Sequence, residues 1–407
     1  MTHESPRRVW AVSELYHPEL TSTGYFMTGI AEGLAREFPV SVICGQPTYA
    51  VRGSTAARRE VRNDVSIFRV RGTTFDRRFL PARLLNILTV TLSMFLSLLR
   101  HVRRGDLVIV VTNPPSGPYV ARLAAWVKGA SCVLVMHDVY PDAMIVAGMI
   151  SRTGFAARTL GLMAAALLRG MRVVSVLGRD MAALVKQRAP GVEVAIIPNW
   201  ADDDMLIPEA LGANPLRASL GLGSKFVVLY AGNMGVVQDI EGLADVAARV
   251  QNEAPEVHFL FLGSGKKRPW FEQEVARRGL KNVTVVGERP RDEQATFLRA
   301  GDVSVVTFVP GMRGVGVPSR LYNMMAAGRP LVAAVDADSE PGLVIAEEQA
   351  GWVVRPGDPE GLAQAILHAA RSPGECAEKG QRAAAAVRAK YKQSDIVARY
   401  VDMVRAL

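Results

Sequence analysis

Cysteine is scarce in this chain of 407 residues, and its three copies, Cys44, Cys132 and Cys376, lie far apart. None of them belongs to a CxxC pair, so structural disulfides are not expected and a reducing compartment is favoured. A signal-peptide pattern is also missing. Residues 1–8 are polar and charged, and the apolar stretch 9–13 is too short for the hydrophobic region of a signal peptide.

Acidic residues are under-represented in the first half of the chain. Residues 1–200 contain 24 Lys and Arg against 13 Asp and Glu, whereas the remaining residues contain 24 and 26. A basic half indicates an anionic partner: a nucleic acid, a membrane surface or a phosphorylated substrate. Because the chain has neither a zinc-knuckle spacing nor the aromatic pattern of an RNA-recognition motif, no nucleic-acid partner is predicted.

The apolar stretches are short. The uncharged run Leu84 to Leu99 has 16 residues, fewer than the ~20 that span a bilayer. Three alternatives stay open for it: a buried crossover helix, a helix in the membrane interface with arginines on lipid phosphates, and a transmembrane helix. Phe155 to Leu168 is a second candidate for the membrane face. The arginines around the two runs are Arg77, Arg78, Arg83, Arg100, Arg103 and Arg104 for the first, and Arg152, Arg158, Arg169 and Arg172 for the second.

Length and composition predict two α/β domains of about 200 residues each. The second half alternates strands and helices at regular spacing, as a doubly wound parallel sheet requires. In the first half we predict a helix over residues 25–36 and a loop over residues 45–64. The polar stretch Pro198 to Asp204 is the predicted boundary. Ligands in such sheets bind at the carboxyl ends of strands, so two Rossmann-like domains facing across a cleft are expected.

The stretch Pro318 to Pro330 carries the strongest signal for a ligand. Ser319 is predicted as the N-cap of a short apolar helix, Leu321 to Ala327, which Gly328 ends. The helix N-terminus is expected to face the carboxyl edge of the sheet, where its free N–H groups suit a diphosphate. Arg320 adds a charge in the first turn. The alternative is an ordinary βαβ crossover with a solvated arginine.

Two glycine turns follow strands of the second half. Gly232 to Gly235 lets the backbone approach a phosphate, although an ordinary strand-to-helix turn explains it equally well. Neither this turn nor Gly263-Ser264-Gly265 completes a GxGxxG fingerprint, so hydride transfer is disfavoured. Asp202 to Asp204 and Asp336 to Asp338 have a spacing that can share a divalent ion with a nucleotide. Surface carboxylates are common, however, and neither a metal nor a cofactor is predicted.

His137 and Asp138 follow a predicted strand that ends at Met136. Their side chains are therefore expected in the cleft. A neutral imidazole can hydrogen-bond a sugar hydroxyl, and a carboxylate can take a proton from an acceptor. The alternative is a His–Asp pair that caps the following helix.

Several segments together resemble retaining GT-B glycosyltransferases of family 4, and they cover essentially the whole chain. Within that family the chain looks like the bacterial O-antigen and capsule branch that resembles L-fucosamine transferases. The segments are Gly232 to Gly235, Pro198-Asn199-Trp200, Pro318-Ser319-Arg320 with Ala326 to Pro330, Arg355-Pro356-Gly357-Asp358, Tyr16-His17-Pro18-Glu19 with Gly24, and Asn113-Pro114-Pro115.

The resemblance implies a division of labour along the chain. Residues 1–198 are expected to form a membrane-facing acceptor domain, and residues 199–390 a nucleotide-sugar domain. Residues 391–407 are expected to form a helix that packs back toward the N-terminal domain. His137 and Asp138 are the catalytic candidates. The predicted donor-binding residues are Gly24, Asn233, Gln238, Arg289, Ser319, Arg320 and Glu340.

The sequence departs from the family pattern at four positions. Many members have two glutamates eight residues apart before the Ala-x-Gly turn, and Val315 and Asn323 occupy those places here. The Arg and Lys that often hold the donor diphosphate fall near Asn233 and Gln238, which are neutral. Neutralisation of the diphosphate then depends more on Arg320 and the helix N-terminus.

The implied reaction moves an amino or deoxy hexose from a nucleotide diphosphate sugar, expected to be UDP-linked, to a lipid-linked saccharide, with retention of configuration. Glu340 falls where a family glutamate resembles a ligand of the ribose or donor sugar. The protein is then peripheral or monotopic on the anionic cytoplasmic face of the inner membrane. The alternatives are a GT-B nucleotide-sugar epimerase and a catalytically silent membrane-bound assembly factor.

Overall fold

A computed structural model describes most of the residues and divides the chain into two units. The described residues are 7–19, 21–47, 55–76, 79–206 and 214–407. The first unit comprises Met1–Asp142, Ser151–Pro198 and Ser394–Leu407, and the second comprises Ala143–Ile150 and Asn199–Gln393. The division after Pro198 coincides with the polar stretch of the sequence. The predicted division placed residues 143–150 in the N-terminal domain, whereas in the structure they cluster with the second unit.

The first unit is built on one sheet of eight strands. The strands are β1 (Val9–Ser13), β2 (Val40–Cys44), β3 (Arg59–Arg62), β4 (Val65–Arg69), β5 (Leu107–Val111), β6 (Ser131–Met136), β7 (Val173–Val176) and β8 (Val194–Ile196). Their order is β3-β4-β2-β1-β5-β6-β7-β8. All neighbours are parallel except β3 and β4. The central strands are almost entirely buried, as near-continuous Val and Ile runs in a two-sided sheet should be.

Helices connect these strands. They are α1 (Ser22–Leu34), α2 (Leu80–His101), α3 (Gly117–Lys128), α4 (Asp142–Val146), α5 (Phe155–Arg169) and α6 (Arg179–Arg188). α1 begins three residues earlier than predicted, because the Thr21 side chain caps it by accepting a hydrogen bond from the Gly24 backbone N–H.

The predicted loop over residues 45–64 is wrong at its end, where β3 pairs antiparallel with β4. Asn63 and Asp64 form the turn with φ of 45° and 62°, and these residue types tolerate the left-handed region. Exposed Arg-Glu-Val-Arg lacks an apolar alternation, so pairing at the sheet edge decides its conformation. Residues 48–54 of that predicted loop lie outside the described residues.

Helix α2 has two different sides. Asn86 bonds the backbone N–H and carbonyl of Phe75, at 3.0 and 2.9 Å, and Thr91 contacts the Ser116 hydroxyl at 2.6 Å. The other side exposes leucines. Among the described residues, Pro81–His101 is the one stretch long and apolar enough to cross a membrane, and 22% of its apolar window is buried. The alternative of a buried crossover helix therefore fits only the polar side of α2, because the leucine side is exposed.

The second unit continues the strand–helix alternation. Its strands are β9 (Phe226–Ala231), β10 (Val257–Leu262), β11 (Val283–Val286), β12 (Val303–Thr307), β13 (Leu331–Ala334) and β14 (Gly351–Val354). Its helices are α7 (Asp203–Leu206), α8 (Pro215–Ser219), α9 (Ile240–Glu253), α10 (Arg268–Arg278), a 3-10 turn (Arg291–Glu293), α11 (Gln294–Leu298), α12 (Leu321–Ala326), α13 (Glu340–Glu347), α14 (Pro359–Arg371) and α15 (Pro373–Lys390). The last helix, α16 (Gln393–Arg405), belongs to the first unit from Ser394 onward.

The second sheet is parallel throughout, in the order β11-β10-β9-β12-β13-β14. The strand order reverses between β9 and β12, and ligands of open α/β sheets bind outside the carboxyl ends at such a point. The loops after these two strands are joined there, because the Val309 N–H donates to the Val237 carbonyl at 2.9 Å. The switch point therefore brings the glycine turn after β9 close to the loop that leads to Arg320.

Candidate active site

The glycine turns after β9 and β10 pack against each other. The Met234 N–H donates to the Ser264 carbonyl at 2.7 Å. A Cβ on Gly263 would overlap the Gly232 carbonyl oxygen, and one on Gly265 would lie 2.5 Å from the Met234 carbonyl oxygen. Both glycines also have positive φ, 147° and 142°. Close backbone approach of two loops therefore explains these two glycines without a phosphate.

The predicted donor residues Asn233 and Gln238 shape the same loop. The Gln238 side-chain oxygen accepts a hydrogen bond from the Gly235 N–H at 3.1 Å, and its backbone carbonyl accepts one from Lys267 Nζ at 2.8 Å. The Asn233 carbonyl accepts a hydrogen bond from the Tyr230 hydroxyl at 2.8 Å. The Gln238 side chain and the backbone carbonyls of Asn233 and Gln238 therefore stabilise this turn.

Arg320 is the N-cap residue of α12, so the prediction that Ser319 caps this helix is wrong, and no side chain caps it. The Arg320 guanidinium lies 5.6 Å from the centre of the Phe297 ring. Within the described part of the chain it makes no hydrogen bond or ion pair. Desolvation lowers the pKa of Arg320 and the nearby charge of Arg291 lowers it further, while Glu288 acts in the opposite direction. A half-buried cation in this state is stabilised by a bound anion.

Arg291 is a neighbour of Arg320 that sequence reasoning missed. It follows the loop after β11, at the same edge of the sheet, and that position is the signal that points to it. Its guanidinium donates to Asp202 at 2.8 Å, and Gln294 donates to the other Asp202 oxygen at 2.7 Å. The Asp202 N–H in turn donates to the Asn323 side chain at 2.8 Å. Asp202 therefore fixes the chain at the start of the second unit.

Each of the two aspartate strings has one member that pairs with an arginine. Besides Asp202, Asp338 pairs with Arg313 at 2.7 Å on the surface. In the described ranges no three His, Cys, Asp or Glu side chains lie grouped as a metal ion would require. Arg289, a predicted donor residue, is also on the surface and pairs with Glu293 at 2.9 Å.

Glu340 is the first residue of α13 and is only 6% exposed. Ser339 caps this helix by accepting a hydrogen bond from the Gly342 N–H at 3.4 Å. The positive end of the helix dipole stabilises a carboxylate in this position. A buried carboxylate after β13 is therefore compatible both with a helix-stabilising role and with binding of sugar hydroxyls.

His137 and Asp138 lie in the first unit, directly after β6. The hydroxyl oxygen of Thr112, which follows β5, accepts hydrogen bonds from both backbone N–H groups, at 3.2 and 3.3 Å. Sequence reasoning missed Thr112, although it occupies the equivalent strand-end position on the neighbouring strand. His137 Nε2 is buried and has no hydrogen-bond partner within the described part of the chain. Desolvation lowers the pKa of His137 to about 4, so the ring is neutral at physiological pH.

Asp138 and Gly24 have different environments. The Asp138 side chain is accessible to solvent, yet the protein around it desolvates the carboxyl and raises its pKa.

Gly24 lies in the first turn of α1, where a Cβ would be 2.5 Å from the Glu19 carbonyl oxygen. Its role in this structure is a close backbone approach. The ring of Phe26, two residues on, lies 6.3 Å from the His137 ring in an edge-on arrangement.

His137 should make stability depend on pH. Its pKa is depressed from 6.5 to about 4 in the folded protein. Its contribution is therefore complete above pH 6.5 and is lost as pH falls toward 4, by at most about 3 kcal/mol. We expect His137→Gln to flatten the fall of the melting temperature between neutral and acidic pH. Parallel melting curves for the two proteins across this range would contradict a neutral, buried His137.

Each of the two units matches a family of glycosyltransferases. Residues 23–200 match the family "Glycosyl transferase 4-like domain", and residues 225–372 match "Glycosyl transferases group 1". The probable glycosyltransferase WbjE of Pseudomonas aeruginosa is 30% identical over 365 residues, which cover 88% of either chain. The putative colanic acid biosynthesis glycosyl transferase WcaI of Escherichia coli K12 is 27% identical over 339 residues, covering 80% of this chain and 83% of WcaI.

Solved structures share the fold at low sequence identity. Sucrose-phosphate synthase of Thermosynechococcus elongatus has a TM-score of 0.76 at 18% identity and 98% coverage of both chains. Anabaena HepE in complex with UDP-glucose has a TM-score of 0.72 at 17% identity, with 98% of this chain and 100% of HepE covered. Fold and sequence matches together define a GT-B glycosyltransferase. Within that class, the chain belongs to glycosyltransferase family 4.

Proposed function

We propose that the protein transfers an amino or deoxy hexose from a UDP-linked sugar to a lipid-linked saccharide during assembly of a surface polysaccharide. Family membership supports sugar transfer. The name of WcaI, which refers to colanic acid biosynthesis, supports a polysaccharide product of the O-antigen or capsule type. UDP and UDP-glucose in the HepE complexes support a uridine-linked donor.

The observation that carries the donor proposal is the half-buried guanidinium of Arg320. It lies at the switch point of the second sheet, over Phe297 and near Arg291. The charge of Arg291 disfavours the desolvated Arg320 cation, and a diphosphate bound beside Arg320 removes that penalty. Arginine also forms charge-assisted hydrogen bonds with phosphate oxygens. The donor diphosphate is therefore assigned to Arg320, with Arg291 as a second source of positive potential.

The chemical step proceeds with retention of configuration. The bond between the anomeric carbon and the diphosphate oxygen breaks, and UDP leaves. An acceptor hydroxyl forms the new glycosidic bond on the same face of the sugar. Its proton goes to the Asp138 carboxylate, with the departing phosphate oxygen as the other available acceptor. Positive charge at Arg320 stabilises the diphosphate as its negative charge grows.

Glu340 is proposed to hold ribose or donor-sugar hydroxyls. We expect Glu340→Gln to leave the melting temperature nearly unchanged, because a carboxylate at a helix N-terminus contributes only ~0.3–1 kcal/mol. The same change should raise the donor KM or lower kcat. Steady-state kinetics at varied donor concentration, beside melting curves, separates the two effects. Full activity together with a lowered melting temperature would assign Glu340 to the helix alone.

Incubation with a panel of radiolabelled nucleotide sugars and a membrane lipid extract tests the function as a whole. Label in the lipid fraction indicates a transferase. A changed soluble sugar indicates the epimerase alternative, and membrane binding without turnover indicates the silent assembly factor. The anomeric configuration of the product then tests retention.

The proposed place of action is the cytoplasmic face of the inner membrane, with the protein peripheral or monotopic. The excess of basic residues in positions 1–200 supports this, as do the exposed leucines of α2. Each arginine close to an anionic leaflet contributes about 1 kcal/mol. Arg77 and Arg78, which the sequence also places beside this helix, lie outside the described residues.

A further inference from the structure

Three neighbouring helices of the first unit present apolar side chains to solvent. α3 contacts both α2 and α5. α2 exposes Leu88, Leu92 and Leu96, α3 exposes Trp126, and α5 exposes Phe155 and Leu162. Trp126 is 68% exposed and Phe155 86%. We call the surface defined by these six residues the α2–α3–α5 face. Large apolar groups concentrated on adjacent helices indicate an interaction surface.

The charges on the same helices all have one sign. The sequences of α2, α3 and α5 contain no Asp or Glu. Arg83, Arg100, Arg158 and Arg169 are exposed, and none of them forms a salt bridge with any residue that the structure describes. Elsewhere the chain pairs its surface arginines readily, as Arg277 does with Glu274. The α2–α3–α5 face therefore combines exposed apolar side chains with arginines that no described acidic side chain neutralises. This combination complements an anionic lipid surface.

A groove between α3 and α5 opens on this face. Its volume is about 450 Å³, and Leu123, Trp126, Met163 and Leu167 contribute apolar walls. Arg122 also lines it, and the Nε atom of Arg122 is buried without a hydrogen-bond partner in the described residues. A second pocket of about 360 Å³ adjoins the end of α5 and contains Arg169 and Arg172. Apolar walls beside arginines match a hydrocarbon chain that ends in a phosphate.

We propose that the α2–α3–α5 face lies on an anionic phospholipid bilayer, that the groove between α3 and α5 accepts one acyl chain, and that Trp126 enters the lipid at its rim. This inference rests on the proposed membrane location and adds the residues that touch lipid. A second copy of the chain is a poor occupant, because a symmetric contact would oppose arginines without acidic partners. A spanning α2 is also disfavoured, because Asn86 and Thr91 hold its other side against the protein.

Tryptophan fluorescence tests the insertion directly. Full-length protein is mixed with phosphatidylcholine vesicles, with and without phosphatidylglycerol, whose acyl chains carry bromine at shallow or deep positions. We expect shallow bromine to quench Trp126 when the anionic lipid is present. Trp126→Phe should abolish that component, since Trp10 and Trp200 are buried and the two remaining tryptophans, Trp270 and Trp352, belong to the second unit. Ala166→Phe, which adds bulk to the groove wall, should lower quenching by deep bromine while the fold, followed by circular dichroism, is retained.

Charge variants separate adsorption from insertion. Arg158→Gln with Arg169→Gln is expected to lower the vesicle partition coefficient by about 30-fold, since each arginine near an anionic leaflet contributes about fivefold. The matched control, Arg371→Gln with Arg388→Gln, removes the same charge from exposed positions on α14 and α15 and should change partitioning little. The proposal would be overturned if Trp126→Phe left the quenching unaltered, or if both double variants lost vesicle partitioning equally. It would also be overturned if the protein formed a dimer that Ala166→Phe dissociates.

UDP binding is measured on the same samples by thermal shift. A protein that binds UDP but not vesicles overturns the lipid inference and leaves the proposed sugar transfer standing. A protein that inserts into vesicles but neither binds UDP nor transfers sugar overturns the proposed function instead.

Discussion

Replacing Asp138 by asparagine is expected to lower kcat for sugar transfer by about 10²- to 10⁴-fold, the range that a positioned general base contributes. The amide keeps the shape of the side chain but cannot accept the acceptor's proton. The raised pKa of Asp138 makes its carboxylate a stronger base than an ordinary aspartate. The Thr112 hydroxyl, which accepts a hydrogen bond from the Asp138 N–H at 3.3 Å, keeps the loop in place in the variant. Turnover of labelled donor at saturating concentrations of both substrates gives kcat.

Asp203→Asn is the matched control, because Asp203 is an exposed aspartate in the first turn of α7. We expect it to retain wild-type kcat. Affinity for UDP should be the same in the wild type and both variants, because Asp138 acts on the acceptor. An Asp138→Asn enzyme with nearly full kcat would remove the general-base role and leave the proton to the donor phosphate.

Replacing Arg320 by alanine is expected to weaken UDP binding by about 1.5–3 kcal/mol, the contribution of hydrogen bonds to a charged group. This corresponds to a loss of about 10- to 150-fold in affinity. Arg320→Lys should recover part of the loss, since lysine restores the charge without the planar fork. Isothermal titration with UDP measures all three proteins. Melting curves without ligand should stay close to wild type or rise, because the variant removes a desolvated cation.

Arg289→Ala tests the other arginine that the resemblance assigns to donor binding. Arg289 already pairs with Glu293 at 2.9 Å on the surface, so we expect little change in UDP affinity. An Arg320→Ala protein that keeps its UDP affinity and its fold would contradict the assignment of the diphosphate. A loss confined to Arg289→Ala would move the diphosphate to the loop after β11.

Buried strands of this protein could be predicted from sequence nearly to the residue. The predicted strand that ends at Met136 is observed as Ser131–Met136, and all but its first residue are buried. Such runs are uninterrupted because both faces of a parallel sheet are covered. The edge strand β3 could not be found in this way, since its exposed Arg-Glu-Val-Arg sequence carries no burial pattern and forms only by pairing with β4.

The places of the candidate site residues in the fold could be predicted from the sequence, but their contacts could not. His137 and Asp138 follow a strand of the first sheet, whereas Arg320 and Glu340 lie at helix starts after strands of the second sheet. Within each parallel sheet the carboxyl ends of the strands lie at one edge, where ligands bind. The partners of these residues are distant in sequence. The contact of Arg320 with Phe297 is one example. Neither the partners nor the desolvation that shifts the pKa values of Arg320 and His137 has a local signature.

Taken alone, the sequence determined the alternation of strands and helices, the polar boundary at Pro198, the basic character of residues 1–200 and the resemblance to family 4, because these depend on residue type and spacing. Only the tertiary structure decided which glycines serve loop packing and which aspartates are already paired. Gly263 is needed because the Gly232 carbonyl lies where its Cβ would be. Asp202 is occupied by Arg291 and Gln294. Hydrogen-bond partners and solvent exclusion arise from long-range packing, so they become defined only when the chain has folded.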